Sequence, residues 1–232
     1  MAQGGYSQFC PVAMAAEVLC ARWTPIVLRE LHAGTTRFND LRRGMPRMSP
    51  ALLSQRLKDL EAAGLVARVP AAGEPGVSEY RLTESGEATR AIVDALGAWG
   101  QKYVDAEVSL QHLDATLLMW DMRRNLDPRP LPPRRSVIQF QYPEQPSAQR
   151  SFWLVVAPDA ETDLCSTDPG FDVDLYATTD LRTMTAIWMG LDNVRAAVRG
   201  ERLRLVGDPA LADNMQAWLG LSPFAREQRL AS

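Results

Sequence analysis

The stretch MSPALLSQRLKDLEAAGLV, Met48 to Val66, decides how the first half of the chain folds. Ser49 can cap a helix, Pro50 suits its first position, and Gly64 closes it. Between them Leu53, Leu57 and Leu60, flanked by Leu52, recur at helical spacing and form a core-facing stripe. Ala51, Ser54, Gln55 and Lys58 fall on the opposite face, which is small and polar with one cation. The capped end leaves backbone N–H groups free for a phosphate. Arg42, Arg43 and Arg47 stand just before it, placed to meet a DNA backbone. An ordinary amphipathic helix with a solvated face has the same pattern, so the neighbouring segments must decide.

Upstream, Val12, Met14, Ala15, Val18 and Leu19 keep a helical spacing, and WTPIVLRELH, Trp23 to His32, repeats it. Thr24 is read as a cap there, with Pro25 in the first turn. Thr36–Leu41 reads as a short helix stopped by Gly44 and Pro46. Its short turn into the Ser49 helix makes a helix-turn-helix. Downstream, LVARVPAAGEPGVSEYRLT places two apolar strands around a Pro/Gly-rich tip, a hairpin. Such a wing can touch the flanking minor groove. A long helix then runs from Thr83 or Ser85 through Val104, with Ile92, Val93, Leu96, Trp99 and Tyr103 on one stripe. Arg37 and Arg81 join the candidate DNA contacts.

Composition narrows the setting. The chain has 232 residues, a formal net charge of -3, 46% hydrophobic and 23% charged residues, which suits a globular protein of one large or two small domains. A uniformly basic coat is excluded, yet cations outnumber acids between Arg22 and Arg68. Three cysteines without CxxC spacing argue against a disulfide framework and fit a reducing cytoplasm. No signal peptide is read in MAQGGYSQF, and no run approaches the ~18 apolar residues of a membrane span. The expected location is cytoplasmic, with no membrane partner. His32 and His112 stand apart without metal-site spacing, so no metal or other cofactor and no enzymatic activity is expected.

Residues Phe9 to Val104 resemble the HxlR family of bacterial winged-helix regulators, relatives of the MarR type. The resemblance rests on CPVAMAAEVLCARWTPIVLREL, TRFNDLRRGMPRMSPALLSQRLKDLEAAGLVAR and EYRLTESGEA. It implies a homodimer built on the first and last helices, with two recognition helices in successive major grooves of a double-stranded DNA operator. Packing of the last helix within one chain is the other reading of its stripe. The family's Gly-rich entry before Trp-Thr is replaced here by Cys20-Ala21-Arg22, so that turn is shifted or more helical. Cys10, in FCPV, matches the family's N-terminal cysteine, which senses oxidants or electrophiles in several members; a half-buried structural thiol is the alternative. Cys165 is placed in a loop.

After Asp105 the balance turns acidic. Leu113–Leu126 reads as a helix, DPRPLPPRR as a stiff connector, and SVIQFQY, SFWLVVA and FDVDLYAT as strands. Helices are expected over Asp180–Leu191, Asn193–Val198 and Pro209–Leu219, with RLRLVG as a strand. Asp172 and Asp174 would share one strand face beside Asp168, but the calcium-loop pattern is absent. The segment FDVDLYATTDLRTMTAIWMGLDNVRAAVRGERLRLVGDPALADNMQAWL resembles the sterol carrier protein-like fold. That resemblance implies an α/β sandwich with an apolar tunnel for lipid-like ligands. Met119, Trp120, Trp153, Met184, Trp188, Met215 and Trp218 are its candidate lining, against the plain alternative that they fill a core.

The fold class is therefore α+β: a winged helix-turn-helix domain at 1–108 and a sterol carrier protein-like domain at 109–232. The function expected is a dimeric DNA-binding transcriptional regulator governed by a hydrophobic small molecule. A thiol sensor using Cys10, and a lipid carrier whose winged helix only dimerises, are the alternatives.

Overall fold

The computed structural model describes residues 5–158 and 160–231, in two compact units, Met1–Gly97 and Ala98–Ser232. Residues 1–4, part of the stretch read for a signal peptide, lie outside the described residues. No single helix among the described residues is long and apolar enough to cross a membrane.

The first unit runs α1 (Pro11–Leu19), α2 (Thr24–His32), α3 (Phe38–Arg43), α4 (Pro50–Ala62), β1 (Val66–Pro70), β2 (Ser78–Leu82) and α5 (Glu84–Glu87) into α6 (Arg90–Tyr103). This is a winged helix-turn-helix. Leu53, Leu57 and Leu60 of α4 are buried with Val27, Leu28 and Leu41 of the two preceding helices. The Ser49 hydroxyl accepts from Leu52 N at 3.3 Å, Pro50 occupies the first turn, and Gly64 ends the helix at φ +74. β1 and β2 pair antiparallel from Val66 opposite Leu82 to Pro70 opposite Ser78.

Three local readings change. Thr24 does not cap α2: it is a buried residue inside the helix, and Trp23 holds the cap position at φ +78. Without a glycine in Cys20-Ala21-Arg22, a tryptophan takes the left-handed turn, at about 1–2 kcal/mol of strain. The third helix starts at Phe38 rather than Thr36, because the Thr36 carbonyl accepts from Tyr80 N of the wing at 2.8 Å. The long helix is two. Thr83 caps the first piece through Gly86 N, and the Thr89 hydroxyl donates to Gly86 O at 2.6 Å, taking a carbonyl from the helical ladder.

The second unit carries the end of α6, α7 (Ala106–Ser109), α8 (Ala115–Asn125), β3 (Ser136–Gln141), β4 (Ser151–Val156), β5 (Asp163–Cys165), β6 (Leu175–Thr179), α9 (Leu181–Trp188), α10 (Val194–Arg199), β7 (Leu203–Gly207), α11 (Pro209–Asp213) and α12 (Met215–Trp218). One five-stranded sheet has the order β5-β4-β3-β6-β7, with only the β3–β6 pair parallel. The chain is α+β throughout. Asp114, Asp180, Asn193 and Asp208 cap α8, α9, α10 and α11 through their side chains, which is why these starts were readable.

Cys165 lies on the edge strand β5, paired with Trp153, not in a loop. Asp172 and Asp174 precede β6 and share no strand face. Asp174 instead pairs with Arg134 at 2.7 Å and accepts from Val137 N at 2.8 Å. The closing helix breaks at Asn214 into α11 and α12. Met119, Met184, Trp188, Met215 and Trp218 lie in one continuous buried core, while Trp120 and Trp153 are buried but outside that cluster. Trp218 donates from Nε1 to Leu211 O at 2.7 Å, and Tyr142 donates to the Met119 sulfur at 3.2 Å. Five of the seven side chains thus pack within the core of this unit.

Candidate nucleic-acid interface

Solvent meets the face of α4 opposite the leucines. Ala51, Gln55 and Lys58 are exposed and Ser54 is half-buried. Ser49 and Pro50 form an exposed tip, with Arg42, Arg43 and Arg47 exposed in the preceding helix and turn. Arg42, Arg47 and Lys58 have no ion-pair partner among the described residues, while Arg43 pairs with Asp40 at 3.1 Å. This places positive charge around the open N-terminal end of a capped helix, which suits a polyanion.

The wing differs. Arg37 grips Glu74 at the hairpin tip through both of its terminal nitrogens and also reaches Glu79 at 4.0 Å. Glu74 holds the Arg37 guanidinium above its ordinary range, and Arg37 draws the Glu74 carboxyl below its own. Arg81 donates to Glu79 at 2.8 Å. Both arginines are committed to acids of the hairpin, so they brace the wing more than they offer charge.

Two residues near the reading face were not singled out from sequence. Asp59 accepts from Gln55 Nε2 at 2.8 Å and from Arg56 at 2.6 Å. Arg56 in turn donates to the Arg22 carbonyl at 3.0 Å, turning toward the protein as its position on the helix suggests. Glu30 is fully buried under the helix-turn-helix, paired with Arg29, which also donates to Gly44 O at 3.1 Å. The i,i+4 spacing of Gln55 and Asp59 was a visible signal for the first. Nothing in the sequence marks Glu30 as buried.

Away from this face, α1, α2 and α6 enclose a groove of about 400 Å³, lined by Val12, Ala16, Leu19, Leu28, Ile92 and Leu96 among others. Most of the expected stripe on α6 is open to solvent, with Leu96 52% and Trp99 59% exposed, while Val93 packs against the core of the first unit; the Trp99 and Tyr103 rings lie tilted, 5.8 Å apart. Cys10 stands at the start of α1. The backbone N–H groups of Ala13 and Val12 hold its thiol below the ordinary range, although its sulfur closes no cap hydrogen bond. Cys165 is the opposite case. Burial, then Asp163, pushes its thiol up.

His32 ties α2 to the start of α6. Its Nε2 lies 2.9 Å from Thr89 Oγ1, and since that hydroxyl donates to Gly86, Nε2 carries the hydrogen. Nδ1 is buried without a hydrogen bond, 3.6 Å from Glu87. Burial, then Arg90, lowers the His32 pKa against the weaker pull of Glu87 and Asp94. The unfolded chain protonates this histidine near pH ~6.5. As pH falls below that value the unfolded state binds the proton first, so stability declines until the lower folded pKa is passed. In thermal melts between pH 7.5 and 5, His32→Gln should flatten that decline, since it keeps a donor for Thr89. An equal decline in the variant would assign it to other groups.

The fold and this face define a winged-helix protein. Residues 18–108 match the HxlR-like helix-turn-helix family. The chain is similar to the HTH-type transcriptional regulator YvaP of Bacillus subtilis, 33% identical over 100 residues, which cover 43% of this chain and 93% of YvaP. It is also similar to the HTH-type transcriptional regulator Rv3095 of Mycobacterium tuberculosis, 42% identical over 95 residues, covering 40% of this chain and 58% of Rv3095. Among solved structures, the redox regulator HypR in its reduced form is 34% identical, with a TM-score of 0.37, covering 40% of this chain and 91% of HypR. The chain belongs to the HxlR-like family of helix-turn-helix transcriptional regulators.

Proposed function

We propose that this chain is a dimeric, sequence-specific DNA-binding transcriptional regulator. In it, residues 1–108 bind DNA and dimerise, and residues 109–232 receive a hydrophobic effector. The observation that carries the reading is the capped α4. Its polar face of Ala51, Ser54, Gln55 and Lys58 adjoins exposed Arg42, Arg43 and Arg47. Family membership supports the same function. The open stripe of α6 and the apolar groove beside α1 support a second copy as their cover. Two-fold pairing would set two α4 helices about 34 Å apart, one in each of two successive major grooves.

The sterol carrier protein-like reading of the second domain is supported by the β6, α9, α10 and β7 order. An effector entering it would part the methionines of its core, which have the rotational freedom to yield. The test combines sedimentation with binding to duplex DNA from the gene's own upstream region, over a range of salt. A monomer, or binding blind to sequence, rules the reading out and leaves a lipid carrier with a winged helix.

The lowered thiol pKa at the start of α1 favours one further reading, control through Cys10. An oxidant such as diamide should then release wild-type protein from DNA, and Cys10→Ser should abolish that release. Release that survives the substitution removes Cys10 from the sensor.

A further inference from the structure

On the face of α4 assigned to DNA, one exposed acid stands beside the residue best suited to read a base. Asp59 is half-exposed, and each of its carboxylate oxygens is engaged. Oδ2 accepts from Arg56 Nη1 at 2.6 Å, and Arg56 Nε donates to the Arg22 carbonyl in the turn between α1 and α2 at 3.0 Å. Oδ1 accepts from Gln55 Nε2 at 2.8 Å. The side chains thus form a brace that starts on the backbone of another element and ends on the Gln55 amide.

We propose that Asp59 is a positioning residue that sets which edge Gln55 presents to DNA, and so selects adenine over guanine at one position of each half-site. This rests on the DNA-binding function proposed above. A carboxylate only accepts hydrogen bonds, so the amide nitrogen of Gln55 must face Asp59. What remains to Gln55 is its second N–H and its Oε1, a donor beside an acceptor. Adenine offers the complement in the major groove, the N7 acceptor and the N6 donor. Guanine offers two acceptors, N7 and O6, and would set O6 against Oε1. The Arg56 guanidinium offsets the Asp59 charge, which would otherwise repel the phosphates close to this helix.

The brace predicts an inversion that a merely structural acid would not produce. In Asp59→Asn only one oxygen remains, and the charged Arg56 claims it. The new amide nitrogen then faces Gln55, whose amide turns its oxygen inward and presents both N–H groups outward. That edge matches guanine. The experiment is selection of full-length wild-type and variant protein on a randomised duplex DNA pool, with sequencing of the bound fraction. Wild type should enrich adenine at one position of each half-site, and Gln55→Ala should lose that enrichment there alone. Asp59→Ala should weaken it about tenfold, with unchanged or tighter binding to unrelated duplex because a negative charge is gone. Asp59→Asn should shift the position toward guanine.

The brace is overturned if Asp59→Asn keeps the adenine preference, or if Asp59→Ala keeps the wild-type preference while Gln55→Ala loses it. It is also overturned if Asp59→Ala weakens every position alike. A wild type that enriches no sequence overturns sequence-specific DNA reading itself, and the brace with it.

Discussion

Replacing Arg42, Arg43 and Arg47 together with alanine should weaken binding to any duplex DNA by about a hundredfold or more at 100 mM salt. The three cations surround the open end of α4, and in a dimer they supply six charges. Each phosphate neutralised releases condensed counterions and contributes about 0.9 to the slope of log affinity against log salt. The variant's slope should therefore be shallower by about 5. Arg43 belongs in the set despite its 3.1 Å pair with Asp40, because an exposed i,i+3 pair contributes little and exchanges readily for a phosphate. Arg37→Ala is the internal control. Unlike Arg43, it grips its acid through both terminal nitrogens and also reaches Glu79, so it exchanges less readily for a phosphate and its slope should change by less than that of any arginine in the set. Titrations of a labelled duplex at four or more salt concentrations read both quantities. A slope unchanged in the triple variant would remove these arginines from the backbone contacts, and a loss confined to one sequence would make them base readers instead.

The legibility of the fold divides along the range of the interactions that set each element. Ser49, Pro50 and Gly64 act on residues within one helical turn, so the start and end of α4 could be read directly. The same holds for Asp114, Asp180 and Asn193 on the helices of the second unit. The misread points depend on distant partners. α3 starts late because Tyr80, over forty positions onward, takes the Thr36 carbonyl. The break before α6 follows from Thr89, whose hydroxyl bonds Gly86 and also receives His32 from α2. Among the candidate contacts, Arg42 and Arg47 were placed only by their position just before α4, while exposure of Ala51, Gln55 and Lys58 followed from helical phase. The commitment of Arg37 to Glu74 did not, because it needs the wing folded back. The Met and Trp set of the second unit shows the limit of composition. The residue types that line a plastic tunnel are the ones that fill a core, and only packing separates the two.

Gly44→Ala should destabilise the first unit by about 3 kcal/mol, a loss on the order of 15 °C in melting temperature for a unit of this size. The glycine is not needed for its backbone conformation, since φ is -73 and any residue adopts it. It is needed for space. A Cβ at position 44 would lie 2.0 Å from Glu30 Oε2, and the Glu30 side chain is fully buried. Glu30 cannot swing aside without leaving Arg29, whose guanidinium also holds the Gly44 carbonyl at 3.1 Å. The clash therefore falls on the turn that sets α3 against α4 and aims the reading helix. Glu30→Ala should itself be costly, because it strips Arg29 of its partner and opens a cavity. In that background, however, the obstacle is gone, and adding Gly44→Ala should cost less than about 1 kcal/mol. The difference is the coupling energy of the pair, on the order of 2 kcal/mol for groups in direct contact. Urea melts of the four proteins, followed by tryptophan fluorescence, measure it. If Gly44→Ala melts with the wild type, or costs the same in both backgrounds, the buried carboxylate does not dictate the glycine. If the coupling appears, loss of DNA binding by Gly44→Ala at a temperature where the unit is still folded would show that the α3–α4 turn, and not stability alone, sets the aim of α4.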